Sequence, residues 1–108
     1  MNVWNKYGEI KDGKITGAFR MTDEHINYAG CYEIFNTEPV GDKFDQPAEA
    51  TEINGTLVAT INGIPYGYLP SDWTQFTKQV RERGPLKGLG SVFWRNDKFI
   101  AKIDLEHA

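Results

Sequence analysis

The chain is poor in the residues that make cross-links, metal sites and membrane spans. A single cysteine, Cys31, in 108 residues excludes an internal disulfide framework. His25 and His107 share no zinc-ligand spacing with Cys31, so neither a metal nor any other cofactor is expected. No apolar run approaches the roughly 18 to 20 residues that cross a bilayer. The opening from Met1 to Lys6 lacks the charged, apolar, small-residue order of a secretory signal, and the expectation is a cytoplasmic protein. Positive charge is also short: the formal net charge is -3 and the pI about 5.3, which excludes coating of duplex nucleic acid by bulk electrostatics. Gly88-Leu89-Gly90 lacks the Lys and Ser/Thr of a phosphate-cradling loop. There is no internal repeat and no low-complexity segment.

What is present fits one domain spanning residues 1–108. An apolar fraction of 40% with 13% aromatic residues supports one packed core. Charge is uneven: residues 1–72 carry five Lys and Arg against eleven Asp and Glu, and residues 73–108 carry seven against four. The basic C-terminal third leaves room for a localised phosphate contact.

Turn chemistry organises the chain. Asn62-Gly63 favours a turn with positive φ at both central positions, and Thr56 to Ile61 and Ile64 to Leu69 supply strand-forming flanks. Asp12-Gly13 predicts a hairpin between Val3 to Ile10 and Lys14 to Phe19. Met21 to Ala29 reads as a loop or a short helical turn begun by Thr22 or Asp23. Cys31 to Phe35 reads as a largely buried strand, and Asn36 to Ala50, with its prolines and acids, as a long loop. Glu49 to Ile53 turns at Asn54-Gly55 onto the next strand. A helix follows from Ser71 as N-cap to Gly84-Pro85, with Trp73, Phe76 and Val80 on one face. Leu89 to Trp94 and Lys98 to Ile103 close a last hairpin through a three-residue turn, Arg95-Asn96-Asp97. Six or seven strands with one helix at about 71–83 predict a mainly β (α+β) fold, a small OB-like or SH3-like barrel. Gly67, Gly88 and Gly90 stand where such a barrel needs sharp bends.

Several segments in order resemble the HIRAN domain, a modified OB-type barrel whose studied members bind the free 3′ end of single-stranded DNA. They are Ile15 to Arg20, Tyr32 to Phe35 with Glu38-Pro39 and Phe44-Asp45, and Asn54 to Leu69 leading into Trp73 to Arg83. The likeness covers about residues 15–103. Gln46 to Ile53 stands as an insertion, the family's tandem tyrosines are replaced by Phe19, Arg20 and Met21, and Pro70-Ser71 replaces a basic residue after Gly-Tyr-Leu.

Single-strand binding needs aromatic faces for bases and a few cations for phosphates. Phe19 with Arg20, and Tyr66 with Tyr68, are the candidates, the two tyrosines expected on one strand face. Trp94-Arg95 offers a ring beside a guanidinium. Asp45 resembles the family's acidic residue near the terminal sugar, where a carboxylate accepts a hydrogen bond from a free 3′ hydroxyl. An enzyme is not expected: nothing orients a Cys31–His25 pair, and the carboxylates Asp42 and Asp45 lie in one acidic stretch. The expectation is a non-catalytic module for single-stranded DNA or 3′ DNA ends. Its rival is a protein-interaction module of a phage or mobile element, docking through the acidic 33–52 region.

Overall fold

Tight two-residue turns set the course of the chain. At Asn54-Gly55, Asn62-Gly63 and Asn96-Asp97 both residues have positive φ, between 51° and 83°, the geometry that matches the twist of paired strands. The computed structural model describes residues 8–11, 14–35, 42–70 and 74–107. In chain order the elements are β1 (Gly8–Lys11), β2 (Lys14–Met21), a 3-10 turn (Asp23–His25), α1 (Tyr28–Ile34), β3 (Lys43–Ile53), β4 (Thr56–Ile61), β5 (Ile64–Tyr68), α2 (Thr74–Arg83), β6 (Leu86–Arg95) and β7 (Lys98–His107). The strands make one curled antiparallel sheet in the order β1-β2-β7-β6-β3-β4-β5. The fold is mainly β, as expected, and takes the form of a half-barrel.

Four expectations change. Cys31 to Phe35 is not a strand but the second half of α1 and its C-cap. Tyr28, Cys31, Tyr32 and Phe35 fall at helical spacing, and the Asn27 side chain caps the helix by accepting from the Gly30 N–H at 3.1 Å. Residues 43–50 are strand rather than loop. Pro47 is tolerated there because its carbonyl, accepting from the Asn62 N–H at 3.3 Å, faces β4 where the ladder has already ended at Ala48–Ile61. The missing Pro47 N–H lies on that same side, at the end of the β4 ladder, and leaves the pairing of Pro47 with Leu89 on β6 intact. The last hairpin turn is Asn96-Asp97 alone, with Arg95 paired to Lys98. Finally there are two helices. The residues 36–41, Ser71, Asp72, Trp73 and the Asp12-Gly13 turn lie outside the described residues.

The concave face of the sheet is the core. Met21, Ala50, Leu86, Val92, Ala101 and Ile103 are all fully buried. Helix α2 adds Phe76 and Val80 and stops at Gly84, whose N–H returns to the Val80 carbonyl at 2.9 Å. Tyr66 crosses this concavity. From β5 at one end of the sheet its hydroxyl donates to the Lys102 carbonyl on β7 at 2.9 Å, so a side chain joins strands that lie four places apart in the sheet. A Cβ on Gly90 would press into that hydroxyl, and only glycine leaves the room. The outer edge of β5 is occupied too: Gly67 bridges to Ile26, and the Tyr66 carbonyl accepts from the Asn27 N–H at 3.0 Å. Helix α1 lies close enough that a Cβ on Gly30 would strike the Pro65 carbonyl.

Candidate nucleic-acid interface

Alternation along three neighbouring strands decides which side chains face outward. On β2, Phe19 and Met21 point into the core and Arg20 points out; on β7, Phe99, Ala101 and Ile103 point in and Ile100 and Lys102 out. On β6, Val92 points in and Ser91 and Phe93 out. Register then sets the neighbours: Arg20 lies opposite Lys102, Lys102 opposite Ser91, and Ile100 opposite Phe93. Arg20, Lys102, Arg95, Phe93 and Ile100 line one cavity of about 360 Å³ on this outer face.

The cavity has an aromatic wall and a cationic rim. Phe93 meets Phe44 edge to face at 5.1 Å, and Phe44 is 56% exposed. The Arg95 guanidinium stands 5.8 Å from the Phe93 ring centroid, within cation–π range. Both its terminal nitrogens bond the two Asp42 carboxylate oxygens at 2.7 Å. This bidentate contact holds the Asp42 carboxyl below its ordinary range and raises the Arg95 guanidinium further. Lys102 reaches Asp104 at 3.6 Å.

Asp45 sits at the irregularity in β3, where pairing with β6 shifts between Lys43 and Gln46. Its φ is 49°, and its N–H donates to the Ser91 hydroxyl at 3.0 Å. The bulge therefore turns an exposed carboxylate outward beside the row that holds Ser91 and Lys102. The chain matches no family model, no curated protein and no solved structure. Its own geometry is the guide to its chemistry.

Of the candidates from sequence, Arg20 and Arg95 come together at this cavity and Asp45 lies one strand away. Phe19 is 5% exposed and packs edge to face on His25 at 5.1 Å; it presents no face to a ligand. Tyr66 is fully buried, and burial pushes its phenol well above the ordinary range. Tyr68 does not share its face. The register shifts between Ala59 and Thr60, so Tyr66 turns inward while half-buried Tyr68 pairs with Val58, away from Arg20 and Phe93. Phe93, Ile100 and Lys102 also line the cavity and were not among the candidates from sequence. Alternation against buried Val92 was the available signal for Phe93, but Lys102 becomes a neighbour of Arg20 only through long-range register.

Cys31 has no sign of activation. It is buried, its thiol is directed to the Tyr66 carbonyl at 3.5 Å, and burial pushes it up to about 12. Among the described residues no group of three or more His, Cys, Asp and Glu is placed to hold a metal ion. Among them, too, no helix is long and apolar enough to cross a membrane.

Proposed function

We propose that this domain binds single-stranded nucleic acid on the outer face of β2, β7 and β6, without catalysis, and that DNA with a free 3′ end is its preferred ligand. The observation that carries this reading is the convergence of Arg20, Lys102 and Arg95 with Phe93 and Ile100 around one cavity. Bases stack on Phe93 and Phe44, and the cations take the flanking phosphates. Asp45, turned outward by the bulge, accepts a hydrogen bond from a terminal 3′ hydroxyl and repels a 3′ phosphate. The HIRAN resemblance supports the same ligand, with the stacking transferred from the buried Phe19 and Tyr66 to Phe93 and Phe44. The competing reading, protein docking through the acidic 33–52 region, is weakened because Asp42 and Glu52 are each ion-paired with an arginine, Arg95 and Arg81.

The test is fluorescence anisotropy of a labelled single strand carrying a free 3′ hydroxyl, against the same strand capped by a 3′ phosphate. Tighter binding of the free end is expected, with Phe93→Ala costing about 1–3 kcal/mol, the usual contribution of one stacked base. Asp45→Ala, which removes both the acceptor and the charge, should abolish the preference between ends. With about three phosphate contacts, log Kd should change with log salt at a slope near 2. Absence of binding to either strand by the folded protein would sink the reading in favour of protein docking.

A further inference from the structure

The β6–β7 hairpin carries aromatic rings on both of its faces, and only one face belongs to the cavity already described. On the other, Tyr28 and Tyr32 stand four residues apart on α1 and so share a helix face, 43% and 39% exposed. Both rest on Phe99, Tyr28 at 6.0 Å between ring centroids and Tyr32 edge to face at 4.9 Å. Trp94 joins them, 4.7 Å from Phe99 and 6.2 Å from Tyr32. Buried Phe99 is the floor; three rings with polar tips form the surface. Such amphipathic rings, held by packing yet open to solvent, are what a base-stacking platform requires.

Cations border this surface. Lys98 is exposed beside Phe99, and the Lys43 ammonium lies 5.9 Å from the centroid of Phe35, itself 5.7 Å from Phe99. The surface is also continuous with the outer cavity. Trp94 follows Phe93 in β6, and Phe99 precedes Ile100 in β7. The β2 ladder ends at Met21 opposite Ala101, so among the described residues no strand covers the β7 edge from Lys98 to Ile100. A flexible polymer can pass from one face to the other around that edge.

We infer that bound single-stranded nucleic acid rounds the β7 edge at Lys98 and stacks further bases on a second platform made by Tyr28, Tyr32 and Trp94. The inference rests on the nucleic-acid reading of the outer face and extends its footprint. It makes affinity depend on strand length: a short strand fills the outer cavity alone, and a longer one reaches both platforms.

Binding of labelled oligothymidylates of about 5 and about 15 nucleotides, which bracket common single-domain site sizes, tests it. The wild-type protein should bind the longer strand more tightly. The double variant Tyr28→Ala/Tyr32→Ala should lose about fivefold or more in affinity for the longer strand and nothing for the shorter. Tyr28→Phe/Tyr32→Phe, which keeps the rings, should behave as wild type and guards against loss of folding as the cause. Unchanged binding of the long strand by the alanine variant, with Arg20→Gln still weakening both lengths, overturns this inference and leaves the outer face standing. A folded wild type that binds neither length overturns both. So does a proline-rich peptide that binds in place of nucleic acid and is lost in the alanine variant, since aromatic ridges also receive such peptides.

Discussion

The tyrosine that spans the half-barrel can be weighed by a double-mutant cycle with the glycine that makes room for it. Tyr66→Phe removes a buried hydroxyl and its 2.9 Å bond to the Lys102 carbonyl, at a cost of about 1 kcal/mol. For a domain of about 100 residues this lowers Tm by roughly 4–8 °C. Gly90→Ala introduces a methyl that meets the Tyr66 hydroxyl, the Ala48 Cβ at 3.0 Å and Ile61 Cγ1 at 3.1 Å. The last two contacts survive in any background, and overpacking of this kind costs about 1–3 kcal/mol. In the double variant the hydroxyl that the new methyl would displace is already gone. The combined loss should therefore fall short of the sum by about 1 kcal/mol, a coupling typical of residues in contact. Urea unfolding followed by fluorescence and circular dichroism, with coincident transitions required, gives the four stabilities. Additivity within about 0.3 kcal/mol would refute the placement of the hydroxyl between Gly90 and Lys102.

The remaining predictions concern the helix, the buried acids and the cationic rim. Gly30→Ala should destabilise by about 2 kcal/mol or more, because its methyl would strike the Pro65 backbone and lift α1; thermal melts measure this. Alkaline pH should weaken the fold, since the unfolded thiol of Cys31 ionises near 9.0 while the folded one holds its proton to about 12. The unfolded state thus gains from rising pH across that window, and Tyr66 acts in the same direction at higher pH. Cys31→Ala should show a shallower fall in Tm above pH 9.0, and a thiol reagent should modify wild-type Cys31 only after unfolding. Asp42→Asn removes the carboxylate that engages Arg95; it should tighten single-strand binding at each salt concentration, because Arg95 no longer exchanges a carboxylate for a phosphate, while the salt slope stays near 2, read by anisotropy at several salt concentrations.

The parts of this fold legible in the sequence are those decided by local backbone chemistry. Asn54-Gly55 and Asn62-Gly63 announce their turns because few other residue pairs tolerate two positive φ values in succession. Helix α2 is legible at its end, where Gly84 at φ 95° closes the last turn. Elsewhere local signals compete. Cys31 to Phe35 is short and apolar, consistent with strand or helix; only when read together with Tyr28 and the capping Asn27 does the helical period emerge. Pro47 and the surrounding acids signal a loop, yet long-range pairing on both sides of Ala48 makes the segment an interior strand. The candidate cavity was legible only in part. Arg20 and Arg95 were identifiable as cations beside rings, whereas the burial of Phe19 and the separation of Tyr66 from Tyr68 depend on sheet curl and a single register shift.

The occupied edge of β5 limits how this molecule can associate. With Gly67 bridged to Ile26 and the Tyr66 carbonyl engaged by Asn27, no further strand can be added beyond β5. Among the described residues, addition at the outer edges of the sheet is left to the β1 side, where two copies pairing symmetrically would each use that edge. Growth by this route ends at a dimer. A sheet open at both outer edges would propagate into fibres; the segment that threads past Gly67 closes one of those two routes.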